Sequence, residues 1–101
     1  MTNRENLLVT AMEECNELSM AISKALRFGM NNYCVAKGDF EDNNYHILEE
    51  YTQLKTVMDM LFEREVLEPL TETVASAIRL DKENKVKRYQ EYSKNIGLIS
   101  D

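Results

Sequence analysis

Two short acidic runs hold the residues best suited to chemistry: Glu13-Glu14-Cys15-Asn16-Glu17 and Glu49-Glu50-Tyr51-Thr52-Gln53. On a helix turning about 100° per residue, Glu14 and Glu17 lie about 60° apart and share one flank. Glu50 and Gln53 repeat that spacing. Like charges so placed weaken an isolated helix, and solvent or a bound cation must compensate. If the two helices pack antiparallel, Glu14, Glu17, Glu50 and Gln53 can converge. Three carboxylates and one amide oxygen form a hard, all-oxygen donor set. Such a set suits Mg²⁺ or Mn²⁺ and not zinc, and Mg²⁺ held this way keeps waters and bridges to substrate phosphates. Glutamate is also a favoured helix-surface residue, so a solvated acidic face is the competing reading.

These residues must be positioned by helices. Leu8, Ala11, Cys15, Leu18, Ile22 and Ala25 recur in steps of three and four, which predicts a first helix over residues 4–28. Gly29 stands at its natural C-terminal stop. Residues 30–43 lack helical periodicity and contain Gly38 among Asn and Asp, which predicts a loop. A second helix follows over residues 44–65, with Ile47, Tyr51, Leu54, Met58 and Leu61 as its seam. Asp42, Asn43 and Asn44 all suit its N-cap. An offset of 36 residues lays the two seams over one another and Glu13 and Glu14 over Glu49 and Glu50. After Pro69, the residues Leu70, Val74, Ala77 and Ile78 predict a third helix. Asp81 suits the cap of a fourth, with Val86, Tyr89 and Ile96 inward; one bent helix or two fits this stretch equally.

The chain of 101 residues with three Gly and one Pro has too few turn formers for a sandwich or barrel. The expectation is an all-α fold in one small domain spanning residues 1–101, with two long antiparallel helices at its centre. Its core is small enough that oligomerisation would complete the bundle, as a homodimer or a dimer of dimers. Twelve basic against eighteen acidic residues leave a net charge of −6, which disfavours duplex nucleic acid as a partner. No apolar run approaches the ~18 residues of a membrane span. The polar start Met1-Thr2-Asn3-Arg4-Glu5-Asn6 shows no signal-peptide pattern, and Cys15 and Cys34 form no CxxC pair. A reduced cytoplasmic protein is expected, in a cell's own cytoplasm or in that of a virus-infected host.

The segment Leu8–Gly29, LVTAMEECNELSMAISKALRFG, resembles the first motif of the all-α nucleoside triphosphate pyrophosphohydrolases, the MazG-like and dimeric dUTPase superfamily. Short phage and bacterial members look most similar. That family pairs EExxE with a downstream ExxD. The SKALRFG that follows EExxE and the ILEE at 47–50 fit the pattern, and the resemblance covers most of residues 7–65. It implies a MazG-like bundle that hydrolyses an NTP or dNTP to a nucleoside monophosphate and pyrophosphate. Glu14, Glu17 and Glu50 would be Mg²⁺ ligands, and Glu13 a ligand or its supporting neighbour. Gln53 stands where the family has Asp, so this chain offers a neutral oxygen in place of a fourth charge. Asp59 lies about 180° round the helix from Glu50 and cannot replace it. The chain is therefore either an active hydrolase with an altered ligand set or a relative that binds or sequesters a nucleotide without turnover.

Cations in the sequence suit the same ligand. Lys24 and Arg27 follow Glu17 and can reach phosphate oxygens, or can pair with nearby carboxylates. Lys85 and Arg88, three apart in a basic C-terminal stretch, can clasp a phosphate, or can pair with Glu83 and Glu91 on a solvated face. His46 falls near the Glu50 flank and reads as a surface or hydrogen-bonded residue before it reads as a ligand. Phe28, Tyr33 and Phe40 suit loop anchoring or base stacking. Cys15 reads as a buried small hydrophobe and Cys34 as an exposed thiol. Met12, Met20, Met58 and Met60 read as packing residues.

Overall fold

The computed structural model describes residues 1–33 and 38–101. Cys34, expected as an exposed thiol, lies outside the described residues. The protein is all-α: three helices, with no strand among the described residues. They are α1 (Asn3–Phe28), α2 (Asn43–Glu63) and α3 (Glu72–Asn95). The chain divides into two compact units, Met1–Glu68 and Pro69–Asp101.

In the first unit, α1 begins on a capping box. Thr2 Oγ1 accepts from the Glu5 amide at 3.1 Å, and Glu5 Oε2 accepts from the Thr2 amide at 3.2 Å. Gly29 ends the helix at φ +94°, a conformation that favours glycine. Asp42 caps α2, accepting from the Tyr45 amide at 2.9 Å. The residues on either side of the loop are stapled together. Asn43 Nδ2 donates to the Gly29 carbonyl at 2.7 Å, and the Asn44 amide donates to the Met30 carbonyl at 2.9 Å. The end of α1 thus meets the start of α2, while Leu7 near the start of α1 packs with Leu61 near the end of α2. The two helices are antiparallel.

Their contact line corrects the expected seam. On α1, Leu7, Ala11, Ala21 and Ala25 are buried, with Glu14 and Leu18 half-buried between them. Leu8, Cys15 and Ile22 are exposed, so Cys15 is not a buried hydrophobe. Steps of three and four fit two overlapping stripes on α1, which share Ala11, Leu18 and Ala25 and differ by one residue at the positions between. The alanine-rich stripe wins because small side chains let α2 come close. On α2, Leu61 is buried and Ile47, Glu50, Leu54, Val57 and Met58 are half-buried, while Tyr51 is exposed. Each helix therefore carries a glutamate in the line of its own seam.

After α2 the chain reverses through Glu65, which adopts φ +59° without being glycine. The amides of Val66 and Leu67 donate to the Leu61 carbonyl at 2.9 and 3.2 Å, and both side chains fold back on the small core. In the second unit, Thr71 caps α3 by accepting from the Val74 amide at 3.3 Å. A single helix runs through Asp81, which starts no fourth one; Lys85 Nζ reaches back to its carboxylate at 3.1 Å. No residue of α3 is buried, and Val86, Tyr89 and Ile96, expected inward, are exposed.

Candidate functional site

A cleft of about 180 Å³ lies in the first unit, lined by Glu17, Met20, Ala21, Lys24, Asp39, Asn43, His46 and Glu50. Its walls follow from helix geometry. Glu17 to Lys24 on α1 and Asn43 to Glu50 on α2 are each seven residues, or about two turns. The helices run in opposite directions, so these two equal spans lie alongside one another. Asp39, from the loop, contributes to the same lining.

The electrostatics of the cleft are those of crowded carboxylates. Glu50 Oε2 in the cleft and Glu14 Oε2 outside its lining are buried, and neither has a hydrogen-bond partner among the described residues. A buried acceptor without a donor costs stability, and more so when it is charged. Burial, followed by the charges of Glu14, Glu17 and Glu49, raises the Glu50 carboxyl above the ordinary glutamate range, while His46 acts in the opposite direction. These oxygens are of the kind that a hard cation takes. The side chains do not close round an ion as they stand: among the described residues, no three His, Cys, Asp or Glu side chains gather tightly enough to grip one.

The remaining candidates fall in different places. Lys24 lines the cleft beside Glu17. Glu13 is exposed on α1, and Gln53 is exposed on α2, outside the cleft lining. The Arg27 guanidinium stacks 5.1 Å over the Phe28 ring. Lys85 and Arg88 belong to α3 in the second unit, where Arg88 lines a shallow pocket with Tyr89 and Tyr92. Phe28, Tyr33 and Phe40 are exposed.

One feature of the cleft escaped sequence reasoning. His46 Nε2 lies 3.0 Å from both carboxylate oxygens of Asp39. Its Nδ1 lies 4.0 Å from Glu49 Oε1. The imidazole is thus a hydrogen-bonded wall residue, held from the loop side. Residues 39 and 46 are seven apart across the start of α2, so no periodicity links them; the only signal was the position of His46 one turn before Glu50.

No family model matches the chain, and no curated protein and no solved structure matches it.

Proposed function

We propose that this chain is an Mg²⁺-dependent nucleoside triphosphate pyrophosphohydrolase of the MazG-like kind, releasing pyrophosphate from an NTP or dNTP. The observation that carries the reading is the buried, unpartnered oxygen of Glu50 in a cleft shared with Glu17, with a second such oxygen on Glu14, whose charge acts on Glu50 from outside the cleft lining. Glu14, Glu17 and Glu50 would hold the ion, with Glu13 in support and Gln53 as a neutral fourth donor. The ion would neutralise phosphate charge and acidify a bound water. Lys24, in the same lining, pairs with a phosphate oxygen. A volume of about 180 Å³ is below the ~300 Å³ at which pockets begin to enclose drug-sized ligands. The cleft therefore takes phosphate groups and leaves base and sugar to surfaces outside it.

A second reading is supported by a specific feature. Gln53 is neutral and exposed, and no three acidic side chains grip one point. A protein that binds or sequesters a nucleotide or a nucleotide signal needs no more than this. Gln53→Asp separates the two readings. In an impaired hydrolase the added charge tightens Mg²⁺ binding and raises pyrophosphate release about tenfold, equivalent to ~1.4 kcal/mol. In a sequestering protein neither form turns over and both bind nucleotide. Mg²⁺ titrations followed by pyrophosphate detection and by thermal shift read both outcomes.

The proposed assembly is a homodimer or a dimer of dimers in the cytoplasm. Its support is the second stripe of α1, where Leu8, Met12, Ile22 and Leu26 are exposed beside the buried seam. An apolar stripe of this length on a two-helix hairpin invites a four-helix bundle. Sedimentation at micromolar concentration should give at least twice the 11.8 kDa of one chain; a monomer contradicts the assembly. No helix among the described residues is long and apolar enough to cross a membrane.

A further inference from the structure

His46 lines the cleft, and the fold orients its imidazole. Asp39 can only accept when ionised, so His46 Nε2 donates to it. In the neutral ring the lone pair then sits on Nδ1. Nδ1 accepts no hydrogen bond from any described residue, and Glu49, 4.0 Å away, has no proton to give when ionised. The charged groups around the imidazole are Asp39 from the loop, Glu49 and Glu50 from α2, and Glu17 and Lys24 across the cleft on α1. Glu17 and Glu50 are assigned to the ion, and Lys24 carries a positive charge. Asp39 is held by the Nε2 proton and Glu49 lies outside the cleft lining, which leaves His46 as the base.

We infer that His46, oriented by Asp39, takes the proton from the water that attacks the nucleotide; this rests on the hydrolytic reading above. The water oxygen bonds to the phosphorus under attack as that phosphorus loses its bond to the α,β-bridging oxygen. The bridging oxygen keeps the electron pair and leaves with its phosphate. The water proton passes to Nδ1 and afterwards to solvent. Asp39 touches no reacting atom and acts as a positioning residue: it fixes which ring nitrogen bears the proton and where the other points.

His46→Gln tests the assignment, because its amide can still donate to Asp39 but cannot act as a base. With the nucleotide that wild type turns over, kcat should fall by about 10²–10⁴-fold, the usual contribution of a positioned acid or base. KM should change little, and the decline of kcat on the acid side of the pH profile should disappear. Asp39→Asn should give a smaller fall in kcat with the acid-side decline retained. A His46→Gln variant with wild-type kcat and pH profile overturns the inference while leaving the hydrolytic reading intact. A rise in KM with an unchanged profile overturns it equally, marking His46 as a wall residue only. If His46→Gln fails to fold, Asp39→Asn decides: unchanged kcat overturns the inference. If wild type releases pyrophosphate from no nucleotide, the hydrolytic reading fails and this inference fails with it.

Discussion

Glu50→Gln should make the ion-free protein more stable and the loaded protein less active. Glu50 carries a buried carboxylate oxygen without a partner, opposite a second one on Glu14. Removing its charge relieves a penalty of about 1 kcal/mol or more, equivalent to a rise of ~4–8 °C in Tm for a chain of this size. The pH dependence gives an independent reading. The folded state holds the Glu50 proton more tightly than the unfolded chain, chiefly because of burial. Between the ordinary glutamate value and the raised one, the native state binds more protons, so stability falls as pH rises through that window. Above it the whole penalty is present; below the ordinary value it is gone. Wild type should therefore gain stability on mild acidification, and the variant should lose that part of the response. At pH 7, Mg²⁺ should raise the Tm of wild type and not of Glu50→Gln, since a ligand of the native state stabilises it. Pyrophosphate release should fall ~100-fold or more, because charge stabilisation by a metal ion is worth several kcal/mol and each 1.36 kcal/mol is a factor of ten. Melting curves at pH 5 and pH 7, with and without Mg²⁺, check all but the last. A variant that melts lower than wild type, with an intact Mg²⁺ response, contradicts the assignment.

Leu61→Ala should strongly destabilise the first unit. Leu61 is 1% exposed and is the one large side chain fully buried among the described residues. Leu7, Ala11, Val57, Met58, Val66 and Leu67 converge on it, and its carbonyl closes the turn that brings Val66 and Leu67 back. Truncation of such a leucine costs about 2–5 kcal/mol. Small domains have only ~5–15 kcal/mol in total, so this is a large share. Tm should drop by at least ~8 °C, at ~4 °C or more per kcal/mol. Leu61→Met, which keeps the volume, should cost less than ~1.5 kcal/mol. Urea unfolding followed by circular dichroism measures both; equal midpoints for Ala and Met would show that the core lies elsewhere.

Much of this architecture was legible in the sequence, and the failures have specific physical origins. Gly29 marked the end of α1, and the run Asp42-Asn43-Asn44 marked the start of α2 without saying which of the three caps it; the structure gives the cap to Asp42. The phase of the α1 seam was half legible: Ala11, Leu18 and Ala25 were expected in it and lie there, while Leu8, Cys15 and Ile22 give way to the adjoining Leu7, Glu14 and Ala21. Burial went to the stripe with more alanine, a packing preference that periodicity does not encode. That one-position shift also matters for the site, because it places Glu14 in the buried line rather than on its shoulder. Asp81 looked like a cap, yet an aspartate inside a helix can equally pair with a lysine four residues on, as it does with Lys85. Glu14, Glu17, Lys24 and Glu50 were all candidates from their spacing, and spacing alone could place them on facing flanks. The tie between Asp39 and His46 crosses the end of a loop, where no repeat carries information.

The central claim is that the cleft acts on nucleoside triphosphates with Mg²⁺. The most direct measurement incubates the wild-type chain with each common NTP and dNTP, with Mg²⁺ and with chelator, and detects pyrophosphate and the nucleoside monophosphate. Equimolar release of the two from at least one nucleotide, in Mg²⁺ only, is the expected result. No release from any of them contradicts the hydrolytic claim, and the further absence of nucleotide binding would leave only the helical fold standing.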